Sequence, residues 1–163
     1  MSMNISLIAA MGNRRELGYK NQLLCHLPAD LKHFKELTTG HPILMGRTTW
    51  DSLPVKPLPK RRNVVLSRQT MLQNPGAEFF SSADEALQAL QKEEEIFVIG
   101  GATIYQQFVN LADTIYLTQI HADFEADVFF PVLDEKKWHV AEEEFHAADE
   151  KNPFDFTFQV WKR

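Results

Sequence analysis

Asp30 stands in the most suggestive company of any ionisable side chain in this sequence. It follows Leu27-Pro28-Ala29 and precedes Leu31-Lys32-His33-Phe34. Pro28 suits the first turn of a helix, where its missing N–H leaves nothing unpaired. Leu27, Leu31, Phe34 and Thr38 then recur at helical spacing and mark an inward stripe, with Asp30 at its edge. Two chemistries are open to such a carboxylate. It complements the positive end of the helix dipole, or it lines an apolar pocket and grips a cationic ligand that offers two donors. For the second, the apolar lining is expected from Ile8, Leu31, Phe34, Leu53, Leu58 and Ile99. Arg61 would hold a carboxylate at the pocket mouth through a bidentate pair, although spacing alone makes a solvated basic loop its simpler account.

A second group of residues shares one feature, a position just past the end of an apolar run. Gly46 leads to Arg47-Thr48-Thr49, Leu66 to Ser67-Arg68, and Ile99 to Gly100-Gly101-Ala102-Thr103. Ligands of open parallel sheets bind at the carboxyl ends of strands. A glycine there lets the backbone approach closely, and the unpaired N–H groups of a following helix donate to an anion. Guanidinium and hydroxyl groups complete a phosphate site. Each signal alone is weak, since Gly-Gly is more often a tight turn. Three together, with two arginines, favour a ligand with more than one phosphate. Neither the G-x-G-x-x-G fingerprint nor the P-loop pattern is present. Cys25, His26, His33 and His41 lack a fixed ligand spacing and read as surface or packing residues rather than a metal site.

The elements that must position these groups alternate. Residues 5–10, 42–46, 63–67 and 96–99 are short, nearly all-apolar runs, as expected of strands buried on both faces. Residues 11–22 read as a long polar loop, a candidate lid. The Pro28 helix should stop at Gly40, and a short helix should start at Arg47. Pro54, Pro57 and Pro59 enforce an extended loop. Residues 71–78 read as loop, with Phe79-Phe80 a short strand. Ser82 and Glu85 form a capping box, and the Glu93-Glu94-Glu95 run reads as a solvated linker. After Gly100-Gly101 a helix is expected with Ile104, Phe108 and Leu111 on one face, then a strand over 113–120 and a loop at Phe129-Phe130-Pro131. Residues 138–145 and 154–161 alternate around turn material and predict an antiparallel hairpin. The sum is a single α/β domain over residues 1–163, with a mostly parallel central sheet, helices on both faces and a C-terminal antiparallel hairpin.

Bulk properties narrow the function. The 163 residues are 44% hydrophobic and 24% charged, ordinary for a globular domain. A net charge of −5 argues against a general nucleic-acid binder. A lone cysteine, Cys25, excludes an internal disulfide framework and suits a reducing compartment. No apolar run nears a membrane span and no signal-type segment opens the chain, so the cytoplasm is the expected location.

The set Leu27-Pro28-Ala29-Asp30-Leu31, Met45-Gly46-Arg47-Thr48-Thr49-Trp50, Pro57-Leu58-Pro59, Asn63-Val64-Val65-Leu66-Ser67-Arg68 and Ile99-Gly100-Gly101-Ala102-Thr103-Ile104-Tyr105 resembles the bacterial chromosomal dihydrofolate reductases over essentially the whole chain. The resemblance implies an oxidoreductase that reduces 7,8-dihydrofolate to 5,6,7,8-tetrahydrofolate with NADPH, by hydride transfer to C6 and protonation at N5, for one-carbon metabolism. It implies a monomer that binds dihydrofolate and antifolate inhibitors. Asp30 would then bind the pteridine 2-amino group and ring nitrogen, with Thr118 supporting it through water. Arg61 would pair with the glutamate α-carboxylate, and Leu31, Phe34 and Leu53 would hold the aromatic rings. Ala10, Leu17, Gly18 and Asn21 would border the nicotinamide beneath a lid over 11–24. Arg47, Ser67 and Arg68 would surround the adenosine 2′-phosphate, with Thr49 and the Gly100-Gly101-Ala102-Thr103 turn at the pyrophosphate. The resemblance also extends the cofactor site to Gly46, Thr48, Leu66, Ile99 and Ile104, implies a cis peptide between Gly100 and Gly101, and places Tyr105 near the reacting rings. One departure is Leu24-Cys25, where family members usually carry Pro-Trp; it bears on the pocket water and the lid hinge. A pyrimidine reductase of riboflavin synthesis, which shares the Gly-Gly turn, and a non-catalytic NADP-binding module remain as alternatives.

Overall fold

The computed structural model describes residues 3–20, 22–68 and 76–163. Its centre is β1 (Asn4–Met11), flanked by two parallel strands, β7 (Glu95–Gly100) and β8 (Thr114–Ile120). Beyond β7 lie β4 (Ile43–Gly46), β5 (Asn63–Leu66) and β6 (Ala77–Phe80), all parallel. Beyond β8 lie β11 (Phe156–Lys162) and the edge strand β10 (His139–His146), both antiparallel. The eight-stranded order is β10-β11-β8-β1-β7-β4-β5-β6.

Strand alternation sorts the side chains onto two faces. Leu7, Leu44, Val64, Val98 and Leu66 pack on one side with α3 (Ala83–Ala89) and α4 (Ala102–Phe108). Ile8, Ile43, Met45, Val65 and Phe97 pack on the other with α1 (Pro28–Thr38) and α2 (Arg47–Ser52). Helices thus cover both faces, which is why these strands are apolar throughout rather than alternating. The chain leaves β1 toward the α1 face and leaves β7 toward the α4 face. Adjacent strands whose connections part to opposite faces open a crevice at their carboxyl ends.

Several local expectations are corrected. Residues 11–22 are not one loop: β1 runs to Met11, and β2 (Glu16–Tyr19) pairs with β3 (Gln22–Leu23) and with β9 (Val128–Phe129) in a second, three-stranded sheet. Phe129 therefore belongs to a strand, and Phe130 is buried against Tyr105, ring centroids 5.1 Å apart. These strands are too short for periodicity to reveal, and β9 comes from far along the chain. The acidic run is not a linker either. Glu95 opens β7 and accepts from Ser6 Oγ at 2.7 Å, and Glu93 accepts from Arg62 at 3.3 Å. Leu111 lies beyond the end of α4 and is 51% exposed, its expected burial taken by Val109 and Ala112. The capping box is half made: Glu85 N donates to Ser82 Oγ at 3.1 Å, while the Glu85 carboxylate accepts from Ser81 N and Oγ. Helix α1 ends at Thr38, and Gly40 follows with φ +89°, a left-handed conformation that glycine takes without strain. Of the loop expected over 71–78, residues 71–75 lie outside the described residues, and Ala77 and Glu78 are corrected to the start of β6, where they pair with Asn63 and Val64.

Candidate active site

Asp30 is brought to the crevice by its helix. α1 begins at Pro28 without a side-chain cap on Leu27; instead Ala29 N donates to Oδ1 of the distant, buried Asn152 at 3.0 Å. This leaves Asp30 on the first turn facing β8, where Thr118 Oγ1 donates to Asp30 Oδ1 at 2.6 Å. Thr118 is the register partner of Ala10 on β1 and of Phe158 on β11. The expected support of Asp30 by Thr118 through water is therefore corrected to a direct hydrogen bond. Burial pushes the Asp30 carboxyl above the usual carboxylate range, and the Thr118 hydroxyl and the His33 side chain only partly pull it back. A cavity lined by Ala10, Leu17, Leu24, Cys25 and Asp30 opens beside it. The dipole account of Asp30 explains none of this burial.

The apolar residues named with Asp30 divide. Ile8, Phe34, Leu53, Leu58 and Ile99 belong to one packed cluster on the α1 face. Leu31, expected on the inward stripe, is 48% exposed and lines the cavity mouth next to Asp30. Arg61 is not a solvated loop residue. Its Nε donates to Pro59 O at 2.9 Å and its guanidinium to Thr38 Oγ1 at 3.0 Å, with the charge over the Phe34 ring. Burial lowers its pKa, and no carboxylate among the described residues pairs with it. A half-buried, positioned and uncompensated cation is a ready carboxylate site.

The opposite wall is built from strand ends. The peptide between Gly100 and Gly101 is cis, and Gly100 has φ +122°. A Cβ on Gly101 would stand 3.6 Å from Thr49 Oγ1, so the Gly-Gly turn and the start of α2 face one another across a narrow gap. A Cβ on Gly46 would strike Ile104 at 2.9 Å. Gly46, Leu66 and Ile104 are buried packing residues that bring these ends together; Ala102 and Ser67 are half-buried, and Thr48, Thr103 and Arg68 are exposed along the gap. Arg68 has no partner among the described residues. Arg47, in contrast, is tied through Nε to both oxygens of Asp51, at 3.0 and 3.1 Å, a pairing that spacing along α2 would have allowed to be foreseen. An open glycine cradle with hydroxyls and two guanidinium groups fits a dinucleotide diphosphate carrying an extra phosphate.

Tyr105 is 5% exposed and its hydroxyl donates to Ile8 O at 2.6 Å. Burial, and next the charge of Asp30, push its pKa far up, so it stays protonated and fastens α4 to β1 rather than supplying a proton. Leu17 and Gly18 sit on β2, and Leu17 lines the cavity together with Ala10, whereas Asn21 lies outside the described residues. Two anchors hold β2 in place. Lys20 N donates to Asp127 Oδ2 at 3.0 Å, and the wholly buried Glu16 accepts from Arg14 N and from Phe124 N, the latter at 2.8 Å. Sequence reading missed Glu16, because a carboxylate in a polar stretch gives no sign of burial.

The comparisons agree along the whole length. A family model described as dihydrofolate reductase matches residues 4–163. The chain is 42% identical over 159 residues to dihydrofolate reductase of Bacillus subtilis, covering 98% of this chain and 94% of that one. It is 43% identical over 161 residues to dihydrofolate reductase type 3 of Salmonella typhimurium, covering 99% of each. Among solved structures, dihydrofolate reductase from Enterococcus faecalis complexed with NADP(H) and RAB-propyl superposes with a TM-score of 0.91 at 31% identity, covering 100% of this chain and 99% of that one. With a sheet, a crevice and a pocket carboxylate of the kind described above, and matches from end to end, the chain belongs to the dihydrofolate reductase family.

Proposed function

We propose that this protein reduces 7,8-dihydrofolate to 5,6,7,8-tetrahydrofolate with NADPH, and that Asp30 is the charge that holds the pteridine. The observation that carries the reading is the Asp30–Thr118 pair. It is a poorly solvated carboxylate with one direct donor, at the carboxyl ends of β1 and β8, across a crevice from the Gly100-Gly101 turn.

NADPH, when bound, supplies the hydride. The protein's part is binding, charge and exclusion of water. Thr118 occupies one acceptor direction of Oδ1, leaving Oδ2 and the rest of Oδ1 for an amino group and a ring N–H of the substrate. A cationic heterocycle there relieves the unfavourable burial of Asp30, so the site favours a protonated ring over a neutral one. Protonation at N5 makes C6 a better hydride acceptor, and water can deliver that proton while Asp30 holds the ring. Leu17 and Gly18, held by the Glu16 and Lys20 anchors, cover the reacting region from bulk solvent. Arg61 takes the substrate carboxylate, and Phe34, Leu53 and Leu58 its aromatic rings. Arg47, Ser67 and Arg68 receive the 2′-phosphate, with Thr49 and residues 100–103 at the diphosphate. On this reading the protein is a cytoplasmic monomer that takes small molecules, antifolates included, and neither nucleic acid nor membrane.

The test is NADPH oxidation with dihydrofolate as the sole second substrate. Turnover is expected, and its absence, with oxidation driven instead by a phosphorylated ribosyl pyrimidine, would transfer the chain to the other reductase class. Arg68→Ala should raise KM for NADPH by about 10–100-fold, the loss of a charged hydrogen bond, with little change for NADH. Equal losses for both cofactors would remove Arg68 from the 2′-phosphate site.

A further inference from the structure

One turn beyond Asp30, on the same side of α1, the helix carries His33. Its half-buried ring lies flat on Phe158, with centroids 3.9 Å apart and planes 13° from parallel. Phe158 is in turn the register partner of Thr118, whose hydroxyl holds Asp30. Imidazole and carboxylate are thus the two ends of one packed unit, His33–Phe158–Thr118–Asp30, drawn from α1, β11 and β8. The charged groups facing His33 are Asp30 and Glu36 from α1, and Glu144 and His146 from β10; β11 offers the apolar Phe158. His146 Nε2 lies 3.2 Å from Glu144 Oε1 but off the line that a hydrogen bond needs.

We propose that His33 is a positioning residue for Asp30: stacked on Phe158 and one helical turn from the carboxylate, it decides down to what pH Asp30 keeps its charge. The proposal rests on the reading of Asp30 as the group that grips the substrate. Burial pulls the His33 imidazole below the usual histidine range, while burial pushes Asp30 up, so the two ionisations approach one another. Neighbours that titrate together share protons as a pair. In the working range the imidazole is neutral and the whole field of Asp30 acts on the heterocycle. On acidification the first proton goes in part to His33, and the resulting cation holds Asp30 ionised when it would otherwise be neutralised.

The direct test is an NMR titration of the His33 ring protons in the wild-type protein and in Asp30→Asn. The imidazole midpoint should fall in the variant, because a favourable negative charge has gone; an unchanged midpoint overturns the proposal. Kinetics give an independent reading. In His33→Phe and His33→Gln the acid limb of kcat/KM for dihydrofolate should move to higher pH. At about pH 5.5 both variants should fall about threefold below wild type once each is scaled to its own plateau. A residue that only packed would lower the whole profile and leave the limb in place, which also overturns the proposal. The two layers separate cleanly. If Asp30→Asn keeps full turnover, the reading of Asp30 fails and takes the His33 proposal with it; if turnover is lost while the His33 midpoint stays put, only the proposal about His33 fails.

Discussion

Two carboxylates, Glu16 on β2 and Asp30 beside the cavity that Leu17 of β2 also lines, are treated in opposite ways. Glu16 is wholly buried and fully engaged. Burial pushes its pKa up, but the backbone N–H groups of Phe124, of its own residue and of Arg14, together with the Arg14 charge, outweigh that and hold it below the usual range. Asp30 has one hydroxyl donor and a cavity beside it, and burial wins. The same functional group is therefore a fastener in one place and an unmet demand in the other. The difference lies in how many donors the fold supplies, and the carboxylate left short is the one placed where a ligand can supply them.

The sharpest way to break this contrast is Asp30→Asn. It should lower turnover at neutral pH by about 10²–10³-fold, the usual loss when a preorganised charge is removed from a reacting centre, with the circular dichroism spectrum unchanged. Wild-type rates would place Asp30 with Glu16, as a structural acid. Glu16→Gln should do the reverse. One backbone N–H would face an amide NH₂ instead of an oxygen, and an unsatisfied buried donor costs about 1–3 kcal/mol. Denaturant unfolding should show that loss, while turnover stays within a few-fold of wild type.

Asp30→Asn also has a signature in stability. A carboxyl whose folded-state pKa lies above its unfolded value makes the native protein less stable at pH values above both, and the penalty vanishes below the unfolded value, near 4. The variant should therefore melt higher than wild type at pH 7.5, by about 2–4 °C for each kcal/mol gained, with the advantage fading as pH falls toward about 4. A lower melting temperature at pH 7.5 would mean that Asp30 is a net stabilising group. Thr118→Val gives the smallest effect. Removing the hydroxyl that pulls Asp30 down should move the acid limb of kcat/KM to higher pH and lower kcat/KM at neutral pH by about 3–10-fold, about the net worth of one ordinary hydrogen bond, since the carboxylate itself stays in place.

Much of the site was legible in residue order because its signals are local. Pro28 and the stripe behind it announce a helix start with an acid in its first turn. The glycines after β4 and β7 mark close backbone approach, and the family likeness ties both to one crevice. What escaped were features whose partners are distant in sequence. Nothing near Leu27 says that Asn152, 123 residues beyond Ala29, caps α1. Nothing near Glu16 says that Phe124 N will meet its carboxylate. The three-stranded lid sheet was hard to read because β2 and β3 are only four and two residues long and the third strand, β9, comes from far along the chain. Asp51 is the exception: its claim on Arg47 is an i, i+4 pair and was there to be seen.

The order of residues by itself determined the alternation of apolar strands with helices, the helix that presents Asp30, and the glycine, hydroxyl and guanidinium groups at three strand ends, because these follow from backbone preferences and periodicity within a few residues. Only the tertiary structure decided the environment of Asp30, the burial of Glu16 and the placement of Arg61 against Thr38 and Phe34. Those depend on how much water and how many donors surround a group, and both are contributed by segments that meet only once the sheet has closed around β1.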